Sequence, residues 1–361
     1  MSELLKNHLN EETIREFALS IQAKHNIFPV EDFLQSVMDD SWDSLELMAR
    51  GRKITENMRK FLPADYKEAI SVLNTVVADC GMFFGLCFPT FVELYGTDEE
   101  HWDISMAALE LYTQYSSSEF AVRPFIIHHQ ERMMAQMYAW SKHENEHVRR
   151  LSSEGCRPAL PWAVALPKFK KDPSPILPIL EQLKTDPSEY VRRSVANNIN
   201  DISKTCPDFV VTLVKSWHGK NEQTDRIIKN GCRTLLKKGN SDILAMFGFG
   251  DANAVTAKDF SLDKTTTSIG GEIVFSFTIN TVTATKVRLE YGVDYMKANG
   301  KPNRKIFQIS ELSMNANQTK QYSKRHSFAD VSTRKHYPGK HAITLIVNGM
   351  ERGTLEFEVT H

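Results

Sequence analysis

Glu189-Tyr190-Val191-Arg192-Arg193-Ser194-Val195-Ala196-Asn197-Asn198-Ile199-Asn200-Asp201-Ile202 is the stretch that decides the fold of the larger part of this chain. Val191, Val195, Ile199 and Ile202 recur at helical spacing and form one apolar stripe that needs a core. Arg193, Asn197 and Asp201, four apart, form a polar ridge on another face. The opening of the stretch is already present 43 residues earlier, where Glu146-His147-Val148-Arg149-Arg150 sets Arg150 and Glu154 in the places of Arg193 and Asn197. Gly155-Cys156-Arg157 recurs 76 residues on as Gly231-Cys232-Arg233, which marks a third unit with Arg226 and Asn230 in the corresponding positions. Asp186-Pro187-Ser188-Glu189 reads as a helix start, with Asp186 as N-cap, Pro187 in the first helical position and a carboxylate at the third. A period near 40 residues built of helical hairpins predicts a HEAT-like α-helical solenoid.

Helical spacing, punctuated by Pro, Ser, Asp and Gly, holds upstream of this stretch and downstream to about residue 257. The pattern then changes to short alternating runs: Ile273-Val274-Phe275-Ser276-Phe277, Lys286 to Tyr291, Ile306 to Ile309, Ala342 to Ile346 and Leu355 to Val359. Gly270-Gly271, Asn299-Gly300 and Asn348-Gly349 supply turns between them. The sequence therefore predicts a mainly α, multidomain chain: a helical-repeat domain over residues 1–257, then an all-β immunoglobulin-like sandwich of roughly seven strands over 258–361. The sandwich lacks the usual buried cysteine pair, since no Cys follows Cys232.

Bulk properties bound the function. The 361 residues are 41% hydrophobic and 25% charged, enough for sizeable cores without stapling. Five scattered cysteines without CxxC pairs, and an N-terminus without a signal-peptide pattern, point to a reducing cytoplasm. The most apolar stretch, Ala69 to Tyr95, is interrupted by Asp79 and Pro89 and reads as buried helices; no membrane is expected. The net charge of -1 offers no global attraction to nucleic acid, so any such contact must come from local clustering of the 44 Lys and Arg. His128-His129 and His143 lack zinc-ligand spacing, and neither a metal nor a cofactor is expected.

Beyond Arg150 the chain reads Ser152-Ser153-Glu154-Gly155-Cys156-Arg157-Pro158-Ala159-Leu160-Pro161-Trp162-Ala163. Gly155 and the residue before Pro158 are expected to end the helix, and Pro161 to project Trp162 from a stiff connector. This segment, with the flanking Glu-x-x-Val-Arg-Arg-Leu and the later Val-Arg-Arg-Ser-Val-Ala-Asn-Asn-Ile-Asn-Asp, resembles the signature of AlkC and AlkD-related HEAT-repeat DNA glycosylases, some of which end in an immunoglobulin-like domain. The resemblance implies monofunctional excision of cationic alkylated bases, 3-methyladenine and 3-methylcytosine, from double-stranded DNA. It implies Glu119, Glu154 and Asp201 as catalytic carboxylates, Trp162 as the base contact, and Arg150 and Arg157 completing the site. For Glu119 a plain capping box, Ser116-Ser117-Ser118-Glu119, is the competing reading.

Those residue types suit the chemistry. A base methylated on a ring nitrogen is cationic and leaves readily, so positive charge develops on the sugar, where a carboxylate stabilises it and positions water; Trp162 meets the base by cation–π contact. Arg150, Arg157, Arg193 and Arg226 are expected on phosphates, aided by Lys324, Arg325, Arg334 and Lys335 within a basic cluster of the sandwich that runs from Lys301 to Lys340 with His326, His336 and His341 interspersed. The lack of a lysine in the signature segment predicts hydrolysis without a Schiff base. Whether the lesion is flipped or exposed by bending stays open. Duplex DNA is the expected partner, at the bacterial nucleoid, with no obligate protein partner. A noncatalytic HEAT scaffold that binds DNA or protein, and a metal-dependent nuclease using the same three carboxylates, are the rival readings.

Overall fold

The computed structural model describes residues 5–331 and 334–361. The chain forms two compact units: one from the stretch up to Cys206 together with Trp217–Gly231, the other from Pro207–Ser216 together with Cys232–His361.

The first unit is helical. Its early helices are fixed at their starts by side-chain caps, Asn10 accepting from the Thr13 amide and Asp65 from the Glu68 amide. The apolar stretch from Ala69 to Tyr95 becomes three short helices, Tyr66–Val76, Met82–Gly85 and Cys87–Tyr95, with Ile70, Leu73, Phe88 and Phe91 buried. No helix among the described residues is long and apolar enough to cross a membrane.

The repeat appears as three helices that pack in succession, Glu146–Glu154, Glu189–Ile202 and Glu222–Gly231. Val191, Val195, Ile199 and Ile202 are all fully buried, as their spacing requires. Each helix is preceded by an Asx turn, in which Asn145, Asp186 and Asn221 accept from the amides of His147, Ser188 and Gln223 at 2.8, 2.9 and 2.8 Å. Asn145 is also the N-cap of its helix, whereas Asp186 is not. The helix starts at Glu189 after Ser188, Pro187 lies outside it, and the Asp186 carboxylate instead pairs with Arg149 of the preceding repeat, Nε to Oδ2 at 2.7 Å. The first arginine of each Val-Arg-Arg serves the repeat itself: Arg149 donates to the carbonyls of His143 and Glu144, Arg192 to those of Asp186 and Pro187.

Gly155 ends the first repeat helix as expected, standing at its C-cap. It keeps helical torsions, φ −63°, so it does not stop the helix by turning left-handed. Its value is space: a Cβ there would lie 2.6 Å from Val122 Cγ2, as one on Gly231 would lie 2.8 Å from Ile199 Cγ2. The repeated glycines mark close helix approach.

The second unit carries eight strands: β1 Val255–Leu262, β2 Thr266–Ser268, β3 Glu272–Thr281, β4 Thr285–Met296, β5 Pro302–Met314, β6 Thr319–Ser327, β7 Gly339–Val347 and β8 Met350–Thr360. One sheet has the order β1-β3-β6 and the other β2-β8-β7-β4-β5, all antiparallel except the β2–β8 pair. The inward residues of β3, Ile273, Phe275, Phe277 and Ile279, meet Val287, Leu289, Tyr291 and Val293 of β4 and Ile343 and Leu345 of β7 in one core. Asn348 and Gly349, φ 46° and 77°, make the two-residue hairpin turn that their sequence announces. The β6 strand is hidden by its composition, Thr-Lys-Gln-Tyr-Ser-Lys-Arg-His-Ser, because on this edge strand only His326 is buried and only Tyr322 half-buried. The helices Arg233–Lys237 and Ser241–Met246 belong to this unit and join the sheet through Lys286 Nζ to the Phe247 carbonyl at 2.9 Å.

Candidate active site

Three carboxylates from distant parts of the sequence meet in the first unit. Glu154 ends the first repeat helix and is 5% exposed; Asp201 lies near the end of the second and is 2% exposed. Arg157 joins them, its Nη1 on Glu154 Oε1 and its Nε on Asp201 Oδ2 at 2.8 Å. Glu154 Oε2 accepts from Ser194 Oγ at 2.6 Å, and Asp201 Oδ1 accepts from Lys204 Nζ at 2.8 Å. Buried charges persist only when paired and hydrogen-bonded, and these are. Glu119 sits in the turn before the helix Val122–His128; its Oε2 takes Arg150 Nη1 and, at 2.9 Å, the Ser117 hydroxyl. No side-chain cap bond starts that helix, so the capping-box reading of Glu119 fails. Arg150 also approaches Glu154, at 3.6 Å, which ties Glu119 to the other two carboxylates.

The connector beyond Glu154 presents Trp162. This residue is 82% exposed and has φ 64°, a left-handed conformation that a bulky side chain avoids unless its surroundings impose it. The imposition comes from Leu166 N bonding the Pro158 carbonyl at 3.1 Å, Ala163 N bonding that of Leu160 at 3.3 Å, and the buried Arg123, which donates to the carbonyls of Val164, Gly155 and Arg157. Burial pushes the Arg123 guanidinium down to about 10, still charged at neutral pH. An apolar cleft of about 290 Å³ lies against the same connector, between Ile126, Ile127 and Phe169, but none of the carboxylates lines it.

Arg157 is thus misplaced in an expectation that set it on phosphate: it is 7% exposed and committed to Glu154 and Asp201. Arg193 and Arg226 do stand outward, each paired on its own helix with a glutamate four residues before it, Glu189 and Glu222. They line a polar groove of about 180 Å³ with Arg192, Gln223 and Asn230. Sequence reasoning missed four participants. Ser194 and Asn198, which donates to the Ser153 carbonyl at 2.7 Å, look like ordinary helix positions. Lys204 lies just beyond the helix that carries Asp201. Tyr190 packs its ring under Arg150 with the guanidinium carbon 5.2 Å from its centre, and burial pushes its phenol up. Its place inside Glu-Tyr-Val-Arg-Arg was the one available signal.

In the second unit the basic cluster divides. Arg304 is bound by Asp294 and Glu351, Lys340 by Glu356, and Arg325 faces Glu272 at 3.3 Å. Lys324 and Arg325, adjacent on β6, point to opposite faces of the sheet. Arg334 and Lys335 border a cleft of about 390 Å³ with Lys297, Asn299 and Tyr337, where Arg334 lies over the rings of Tyr295 and Phe307. His326, His336 and His341 do not belong to this basic surface. They are buried among Tyr295, Phe328 and Phe357, and burial lowers all three, His326 to about 4.

Comparison with known proteins agrees along the whole chain. The model of the DNA alkylation repair enzyme family matches residues 113–235, and a family described as the C-terminal Ig-like domain of uncharacterised protein YhaZ matches residues 256–361. Uncharacterized protein YhaZ of Bacillus subtilis (strain 168) is 44% identical over 355 residues, 98% of this chain and 99% of that protein. The Pseudomonas fluorescens alkylpurine DNA glycosylase AlkC, solved bound to DNA containing an abasic site analogue, superposes with a TM-score of 0.94 at 34% identity, covering 99% of this chain and 100% of its own. All the carboxylates and the connector with Trp162 fall within the first of these matches, and the sandwich within the second, so the protein belongs to the AlkC-type family of DNA alkylation repair enzymes with a C-terminal immunoglobulin-like domain.

Proposed function

We propose that the protein is a monofunctional DNA glycosylase that hydrolyses the N-glycosidic bond of cationic alkylated bases, 3-methyladenine and 3-methylcytosine, in duplex DNA. The observation that carries the reading is the chain Glu119–Arg150–Glu154–Arg157–Asp201, held together by ion pairs that run from half-buried at Glu119 and Arg150 to buried at Arg157 and Asp201, beside an outward-facing tryptophan. The cationic base needs little general acid. Asp201, with its orientation set by Arg157 and Lys204, stabilises positive charge as it develops on the sugar and positions the attacking water. Glu154 and Glu119 share the same electrostatic field, and Trp162 meets the departing base through its ring face. Arg193 and Arg226 neutralise backbone phosphates from the adjoining groove, and Arg334, Lys335 and Lys324 extend the grip from the sandwich.

Lys204 bears on the choice of chemistry, because a lysine beside a catalytic aspartate suits a Schiff-base mechanism. Here its Nζ is bound to Asp201 Oδ1 at 2.8 Å, which commits the nitrogen to the carboxylate rather than to attack on a sugar carbon. The reading therefore remains hydrolysis, in the cytoplasm, at the nucleoid. Incubation of the purified full-length protein with methylated duplex DNA, with EDTA present, is expected to release free 3-methyladenine and 3-methylcytosine and to leave uncut abasic DNA. Borohydride is expected to trap no protein–DNA adduct. Duplex binding without base release would return the chain to the scaffold reading, and loss of release on chelation would favour a metal enzyme.

A further inference from the structure

Arg123 is buried to 1% exposure, forms no direct salt bridge among the described residues, and spends its Nε and Nη1 on three carbonyls of one ten-residue connector, its Nη2 being buried without a hydrogen-bond partner. Those carbonyls are well chosen. Gly155 directly follows Glu154, Arg157 is the residue that spans Glu154 and Asp201, and Val164 lies two residues past Trp162. One side chain thus grips the connector at its start, at its middle and just beyond its exposed tryptophan. Arg123 stands four residues after Glu119, so the same short segment supplies a carboxylate to the site and a clamp to the loop that faces it.

We propose that Arg123 is a positioning residue for base excision: its guanidinium holds the 155–164 connector so that Trp162 and Arg157 stand in register with the three carboxylates. The inference rests on the glycosylase reading given above. A guanidinium suits the task because its donors diverge in a fixed plane and reach separate acceptors at once, which a lysine ammonium on a flexible stem does not reproduce. Burying a charge for packing alone is unfavourable when an apolar side chain would fill the space. What the arginine secures is the left-handed Trp162, which has no burial of its own to hold it. A reacting group displaced by about an ångström loses on the order of a hundredfold in rate.

Trp162 offers a readout independent of activity. The other four tryptophans, Trp42, Trp102, Trp140 and Trp217, are between 2% and 5% exposed, so mobility seen in tryptophan anisotropy at the surface belongs to Trp162, with Trp162→Phe as the assignment control. In Arg123→Lys, turnover on 3-methyladenine duplex is expected to fall about tenfold or more with KM changed by less than about twofold, and Trp162 anisotropy to drop, at a temperature where the variant remains folded. Undiminished turnover, or lost turnover with Trp162 anisotropy unchanged, would overturn the proposal. Should the variant not fold, amide exchange in the wild-type protein decides. Ala163 and Leu166 are expected to be protected like the Glu146–Glu154 helix, and exchange at open-loop rates would contradict a clamp. If the wild-type protein releases no base at all, the glycosylase reading fails, while anisotropy and exchange still report on whether Arg123 holds the connector.

Discussion

Two clusters, one in each unit, bury titratable side chains in opposite ways. In the helical unit Arg157 lies between Glu154 and Asp201, each charge facing its opposite. In the sandwich His326 lies between the hydroxyls of Tyr291 and Tyr295, at 3.0 and 2.7 Å, and the charges that face it, Arg334 and Lys324, are both positive. The first arrangement keeps ions in a dry place, where an electrostatic field acts strongly on a developing cation. The second drives a titratable ring to its neutral form. The contrast teaches that burial alone does not mark a site; burial with opposed charges and an open neighbour does.

The largest expected effect breaks the paired arrangement. Asp201→Asn keeps the shape and removes the charge, so excision should fall about a hundredfold or more while duplex affinity stays nearly intact. Comparable losses in binding and turnover would show that Asp201 serves DNA contact instead.

The unpaired arrangement is tested by pH. His326 has its folded value near 4 against an ordinary 6.5, so the unfolded chain takes up the proton first on acidification. Stability is complete above about pH 6.5 and drains as pH falls toward 4, by about 3 kcal/mol from this one group, with His336 and His341 shifted in the same direction. Urea unfolding of the full-length protein at stepped pH should show that loss in the sandwich transition, and His326→Gln should flatten it. An NMR titration placing His326 near 6.5 would remove the basis of the prediction.

Smaller effects separate residues in matching positions of successive repeats. Arg150 is held by Glu119 within the site, whereas Arg193 is exposed and carries only an i,i+4 partner. Arg150→Ala should lower turnover about tenfold without changing the salt dependence of binding. Arg193→Ala should leave turnover alone and reduce the slope of log affinity against log salt by about one, the mark of a lost phosphate contact. In the sandwich the same slope should respond to Arg334→Ala, beside Lys335, and hardly at all to Arg325→Ala, whose side chain points to the face of the sheet opposite that of Lys324. Equal slopes for either pair would dissolve the distinction between site and grip.

Much of this molecule could be read from local pattern. The stripe Val191, Val195, Ile199, Ile202, the 43-residue recurrence and the alternating runs after residue 257 determine a helical repeat and a sandwich, because burial of apolar side chains obeys the period of the backbone that carries them. The turn at Asn348-Gly349 was equally legible, since those residues tolerate the left-handed conformation that a tight hairpin demands. Other features depend on what comes near in space. No spacing reveals that Arg157 faces inward to two carboxylates, that Asp186 serves Arg149 rather than capping a helix, that Lys204 reaches Asp201, or that three histidines in a basic stretch turn into an aromatic core. Sequence by itself determined which residues could carry charge and which must be buried. Only the tertiary structure decided which charges meet, because the energy of a buried ion depends on the partners and solvent around it and not on its neighbours along the chain.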